Sequence, residues 1–206
     1  MKPVVVENVF SDRQLQIIYD TIGHELKTRR YVYHEQIGPY PHTNEEVKVF
    51  KTSGRLDVER IDFPQEIYDR ITEVINQYSD VPLHSPPGSC VYAEYSGMHG
   101  TPGLNVHFDD GVSEMIVDFQ LASNTVWGVG VDYDVYNIPD NAGILFNPVA
   151  QAHWRPIKDF TTEEFVGMLF FRCFRRNLDG FSIENIGGRE HIDKIEQFRQ
   201  SIRETR

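Results

Sequence analysis

Cysteine is nearly absent: Cys90 and Cys173 are the only two in 206 residues, and neither belongs to a C-x-x-C pair. That excludes a disulfide framework and a cysteine-ligated structural zinc, and it fits free thiols in a reducing cytoplasm. Long apolar runs are missing too. The longest, Val166 to Phe171, is far too short to span a bilayer, and MKPVVVENVF lacks the apolar stretch and small-residue site of a signal peptide. A soluble, intracellular protein with no membrane partner is therefore expected. Basic residues are scarce, 20 Lys and Arg against 31 Asp and Glu, a net charge of −11. Binding to a nucleic-acid backbone draws on clustered cations, and FRR followed by RNLDG near the end makes only a small basic island, so nucleic acid is not the expected partner. An acidic field suits a small cationic or zwitterionic substrate, and it equally serves solubility alone. Repeats and low-complexity segments are absent, and nothing in the chain speaks to oligomeric state.

What is present reads as one domain over residues 1–206, with 40% hydrophobic residues for a sizeable core. Ser11 with Gln14 three residues on forms a capping-box pattern, and Leu15, Ile18, Tyr19, Ile22 and Leu26 follow on one helical stripe. A second helix is predicted from Pro64, with Ile67, Ile71, Val74, Ile75 and Tyr78 on its apolar face. Between them VYHEQIGPY, EVKVFKTSG and RLDVERID read as short strands and turns. From Cys90 the period becomes that of β structure. SCVYAEYS, NVHFDD, EMIVDFQLA, TVWGVGVDY, DVYNI, AGILFN, QAHWRPI and EEFVGMLFFRCF are eight strand candidates separated by Gly, Pro, Asn and Asp clusters. Their number and spacing predict a mainly β domain with flanking helices, a jelly roll or cupin-like double sheet. The tail REHIDKIEQFRQSIRE carries Ile192, Ile195, Phe198 and Ile202 at helical spacing, which predicts a last helix docked outside.

Within this β region stand NVHFDDG at 105–111 and QAHWRP at 151–156. In an extended segment residues i and i+2 share a face, so His107 and Asp109 can approach one ion while Phe108 turns away. The third ligand, His153, lies 44 residues after Asp109 at the start of a strand candidate. Two imidazoles and a carboxylate make a facial triad, which fills one side of an octahedral ion and leaves the other side for co-substrate and dioxygen. An isolated H-x-D is a weak signal; its order before a distal histidine strengthens it.

The order of features resembles the 2-oxoglutarate-dependent Fe(II) dioxygenases, especially the prolyl-hydroxylase-like branch. The resemblance runs from VVENVFSDRQLQIIYD through VYAEYSG and HFD to AGILFNP before the distal histidine. It implies a double-stranded β-helix with Fe(II) at one mouth of the barrel, held by His107, Asp109 and His153, and 2-oxoglutarate and O2 as co-substrates. The reaction it implies is hydroxylation, or a related desaturation or cyclisation, of a small molecule or amino-acid side chain. Asp109 matters doubly, because halogenating relatives have a small residue at that place. The resemblance also implies that the first and last barrel strands are neighbours, which would bring Cys90 and Cys173 close as buried free thiols.

Such enzymes need a cation for the distal carboxylate of 2-oxoglutarate, because a buried dianion must be paired and hydrogen-bonded. Many relatives carry it early on the strand after the distal histidine. Here that stretch is DFTTEEFVG, without Arg or Lys. Two arginines remain. Arg172 is favoured, since an arginine inside an apolar strand demands an anionic partner; Arg155, two residues from His153 and on its face, is the second candidate. For both, an ordinary ion pair with Asp or Glu is the competing role. Tyr92 and Tyr95 could hydrogen-bond the carboxylate, but their odd spacing lets at most one line the pocket, and Asn105 shares the face of His107. The stretch SGMHGTPGLN suits an irregular turn or lid, its His99 reads as a solvated loop residue, and DYD at 132–134 with Asp140 reads as a solvated turn rather than a calcium loop.

Two rivals stand beside this reading. One is a cupin-like metalloenzyme with the same ligands and no 2-oxoglutarate, supported by the missing early cation. The other is a non-catalytic ligand-binding barrel, which leaves the ordered His, Asp and His unexplained.

Overall fold

A computed structural model describes residues 2–28, 49–52, 55–99, 103–109 and 113–175. In chain order these residues form β1 (Val4–Glu7), α1 (Asp12–Thr28), β2 (Val49–Thr52), β3 (Arg55–Ile61), α2 (Gln65–Asn76), β4 (Cys90–Ser96), β5 (Leu104–His107), β6 (Met115–Ser123), β7 (Val129–Val131), β8 (Asp134–Tyr136), β9 (Ala142–Phe146), β10 (His153–Arg155) and β11 (Phe165–Cys173). Each of the eight segments that alternate after Cys90 contains one strand. VYHEQIGPY and the helical tail after Arg175 lie outside the described residues, as do positions 100–102 of the glycine-rich stretch, which opens with a single 3₁₀ turn at Gly97–His99.

Two antiparallel sheets result: a seven-stranded one in the order β1-β9-β6-β11-β4-β3-β2, and a four-stranded one in the order β5-β10-β7-β8. Together they make the double-stranded β-helix. Along the large sheet the side chains sort by parity, as a pleated strand requires. Met115, Val117, Phe119 and Leu121 of β6, with Leu169, Phe171 and Cys173 of β11, pack with Ile18, Ile67, Tyr68 and Ile71 of the two helices in one apolar core. Ile116 of β6 and Ile144 and Phe146 of β9 turn the other way, towards Val129 and Val131 of the small sheet. The large sheet thus has a helix side and a barrel side.

The helices sit where their stripes dictate. Ser11 and Gln14 close the expected capping box: the Ser11 N–H donates to Gln14 Oε1 at 3.0 Å, and the Gln14 N–H to Ser11 Oγ at 3.4 Å. Ile18 and Ile22 are buried beneath α1, while Tyr19 keeps its ring half exposed and donates its hydroxyl to the Leu121 carbonyl. One boundary shifts. Pro64 stands at the N-cap with ψ 146° rather than inside α2, and Tyr78 falls beyond the helix, partly exposed.

Strands β4 and β11 pair along their length, with Cys90 opposite Phe171. The cysteine-bearing strands are neighbours, and both thiols are buried and unbridged.

Candidate metal centre

The site grows out of the small sheet. In the β5–β10 ladder His107 is paired with His153, which sets their rings 4.1 Å apart, and on its other side His153 is paired with Val131 of β7. Asp109 lies just past the end of β5, not on the strand; its N–H is fixed by the Pro148 carbonyl at 2.8 Å, in the loop that leads to His153. From there Asp109 Oδ1 comes within 3.6 Å of His107 Nε2 and 3.4 Å of His153 Nε2. One ligand atom from each of the three residues lies within 4.8 Å of the others. An octahedral ion with bonds of about 2.1 Å holds adjacent donors about 3 Å apart, so these residues fit one ion after small adjustments.

Tautomer and charge agree with that fit. His153 Nδ1 stands 3.1 Å from the Gln151 carbonyl, which can only accept; Nδ1 therefore carries a hydrogen, and Nε2, facing Asp109, is the nitrogen left for an ion once its own proton is gone. Burial alone would raise the Asp109 carboxyl, but the hydrogen bond to His153 and the charges of His153, His107 and Arg172 outweigh it and hold the group below its ordinary value. Burial would lower His153, and Asp109 overrides it, so this imidazole is raised. Phe146 closes one side of the site, its ring 5.0 Å from that of His153.

Below the triad, polar groups are set among the apolar side chains of the barrel interior. Asp118 and Gln120 of β6 and Arg155 of β10 are buried there. Arg155, 3% exposed, donates Nη1 to the Trp127 carbonyl and lies over the faces of Trp127 and Tyr95, at 4.7 and 5.7 Å from the ring centres. Arg155 Nη2, the Tyr95 hydroxyl and Asp118 Oδ1 are buried without a hydrogen-bond partner. Orphaned polar atoms of this kind cost roughly 1–3 kcal/mol each unless a ligand or water meets them, and three in one barrel mark a place built for a polar occupant. Burial is the main cause that raises Asp118, to about 6, against the lowering charges of His153 and Arg155. Arg55 completes the floor: it is paired with Asp57 at 2.5 Å and lies over Tyr95 and Phe170.

The co-substrate candidates separate accordingly. Tyr95 faces the barrel, whereas Tyr92 belongs to the helix-side core and donates its hydroxyl to Glu94, so parity removes Tyr92 from the pocket. Arg172, half-buried on β11, sits across from Ile116 and sends its charge to Asp109, near the triad; Arg155 lies deeper. Asn105 is on β5, and its side chain, like that of His99, lies outside those described. Asp140 is structural, accepting from Gln120, Ser123 Oγ and the Ser123 N–H. Asp118 and Gln120 were absent from the sequence reading, although the alternation Ile116, Asp118, Gln120 within an apolar strand is a usable signal.

No family model and no curated protein sequence matches the chain. Solved structures do. A prolyl hydroxylase from Trichoplax adhaerens, in complex with a hypoxia inducible factor oxygen degradation domain peptide fragment, superposes with TM-score 0.53 at 11% identity over 82% of this chain and 83% of its own. An oxidoreductase of the 2OG-Fe(II) oxygenase family from Burkholderia pseudomallei does so with TM-score 0.50 at 13% identity over 85% of each chain. With the sheet order and the placing of the triad, these likenesses identify the fold as the double-stranded β-helix of the 2-oxoglutarate and Fe(II) oxygenases.

Proposed function

We propose that the chain is an Fe(II)- and 2-oxoglutarate-dependent oxygenase that hydroxylates a small molecule or an amino-acid side chain. The observation that carries this reading is the His107, Asp109 and His153 cluster at the barrel mouth with a buried, incompletely bonded arginine behind it. When bound, iron with 2-oxoglutarate and dioxygen would supply the oxidising power, and the co-substrate would leave as succinate and carbon dioxide. The chain's own share is binding and placement. His107, Asp109 and His153 hold the ion by one face; Arg155 Nη2 and the Tyr95 hydroxyl receive the far carboxylate of the co-substrate. Phe146 and Trp127 keep water from the space between. Arg155 displaces Arg172 as the first choice because it is the buried guanidinium with a nitrogen to spare. Cys90 and Cys173, both free, support a cytoplasmic setting.

Succinate release with Fe(II), 2-oxoglutarate and oxygen tests the proposal. Wild type should form succinate, and Arg155→Lys should weaken 2-oxoglutarate at least tenfold with metal affinity unchanged, a larger effect than Arg172→Lys. Metal binding without succinate formation would favour the cupin-like alternative, which rests on the cation-free stretch Asp159 to Gly167. Absence of metal binding would leave only a ligand-binding barrel.

A further inference from the structure

The loop from β9 to β10 reaches two of the three ligands. Its Pro148 carbonyl accepts the Asp109 N–H, and its Gln151 carbonyl accepts His153 Nδ1. Gln151 is the hub that shapes it. Buried, it uses each of its polar groups: its N–H donates to the Asn147 carbonyl at 2.9 Å, its Oε1 accepts the Asn147 N–H at 2.9 Å, its Nε2 donates to Asp132 Oδ2 at 2.7 Å, and its carbonyl holds the histidine. Asn147 Oδ1 in turn accepts the N–H groups of Val149 and Ala150. Asp132 is itself pinned. It follows β7 directly, sits in the left-handed region at φ 53°, which Asp and Asn tolerate best, and donates its N–H to the Ala152 carbonyl at 2.7 Å.

Packing alone does not require this arrangement, because an apolar residue would fill the position of Gln151 and keep its two main-chain hydrogen bonds without the two that its side chain makes to Asn147 and Asp132. A ring donating to a carbonyl is oriented only as well as that carbonyl is held, and here the Gln151 side chain, tied to Asp132 and Asn147, holds the main-chain carbonyl that His153 meets. We infer that Gln151 and Asp132 are positioning residues for the metal centre, acting as a clamp that fixes the Nε2 of His153, with the same loop setting Asp109 through Pro148. The inference rests on the metal reading above and adds residues that touch neither ion nor co-substrate.

Co(II) titration of the full chain, followed by its visible absorption and by calorimetry, tests the clamp. Gln151→Glu faces Asp132 with a second carboxylate and loses the donor; Co(II) affinity should fall about 10- to 100-fold, with a changed ligand-field spectrum. The double variant Asp132→Asn with Gln151→Glu restores a hydrogen bond of reversed polarity and should recover wild-type affinity to within a few-fold. Asp132→Asn alone keeps an acceptor oxygen and the left-handed turn, and should show a smaller loss, so one informative variant folds even where Gln151→Glu does not. Wild-type Co(II) affinity and spectrum in both single variants, with only the melting temperature lowered, would overturn the clamp while leaving the metal centre standing. A wild-type protein that binds no Co(II) would overturn both.

Discussion

Strands β6 and β11 present two faces to two different surroundings, and the contrast separates what stabilises the molecule from what it is for. On the helix side, Phe119 and Phe171 meet Phe10, Phe63 and Tyr68 with ring centres 5.0 to 6.2 Å apart, and no charged side chain belongs to the described core there. On the barrel side, one residue along, lie Asp118 and Gln120, near Arg155 and His153. Both faces are buried, yet the barrel side holds three polar atoms without a partner, on Tyr95, Asp118 and Arg155. Stability is concentrated on the first face and given up on the second, the pattern expected where binding requires polar groups held ready.

The sharpest way to break this contrast is to damage each face separately. Phe171→Ala removes a fully buried ring from the helix side and should cost about 3–5 kcal/mol in urea unfolding, with Co(II) affinity unchanged in the remaining folded protein. His153→Ala should abolish specific metal binding and turnover while costing less stability than Phe171→Ala. If both variants lose stability and metal affinity in parallel, the two faces are one cooperative unit and the division fails.

Asp118 sharpens the comparison through pH. Its folded-state value of about 6 stands above the ordinary 3.8, chiefly through burial. Below the ordinary value the group is protonated in both states and costs nothing. Between the two values the folded protein retains a proton that the unfolded chain has released, so stability falls as pH rises, and above about 6 the full penalty applies. Two units correspond to at most about 3 kcal/mol. Asp118→Asn cannot ionise, so its metal-free form should gain on wild type progressively from pH 4 to 6 and then hold that advantage. A difference that stays flat over this range would mean that Asp118 is solvated and the barrel side is not dry.

These two faces also explain what was legible in the sequence. The helix side was readable because period-2 strands and amphipathic stripes name their own buried residues: Ile67, Ile71, Val74 and Ile75 are buried as the stripe requires. The cluster of His107, Asp109 and His153 was readable because H-x-D is local and His153 opens a strand. The chamber was not. With both faces of β6 buried, apolar content no longer tells which face meets the helices, and Asp118 passed unnoticed within EMIVDFQLA. Choosing between Arg155 and Arg172 needed the depth of each in the barrel, which depends on the pairing of β10 with β7 and of β11 with β6. Asp132 was read as a solvated turn because its partner, Gln151, is brought to it only by the ladder between β7 and β10.

The smallest expected effect lies within the metal centre itself. In the metal-free protein Asp109 keeps His153 raised above its ordinary 6.5, so this imidazole holds a proton on the nitrogen facing Asp109 to higher pH than a free imidazole does. Metal and proton therefore compete for one lone pair, and binding should expel a proton. The sign follows: Co(II) affinity should be flat at high pH and weaken by up to about tenfold per unit as pH falls, with the weakening beginning above pH 6.5 rather than below it, about 1.4 kcal/mol per unit. Titrations between pH 6 and 8.5, with calorimetry in buffers of different ionisation heat, report both the slope and the proton released. A helix-side variant such as Phe171→Leu should reproduce the wild-type profile, because the charge that sets it lies entirely on the barrel side. An onset below pH 6.5 would mean that the Asp109 and His153 pair is solvated before the metal arrives, and that the polar chamber is dry only once it is filled.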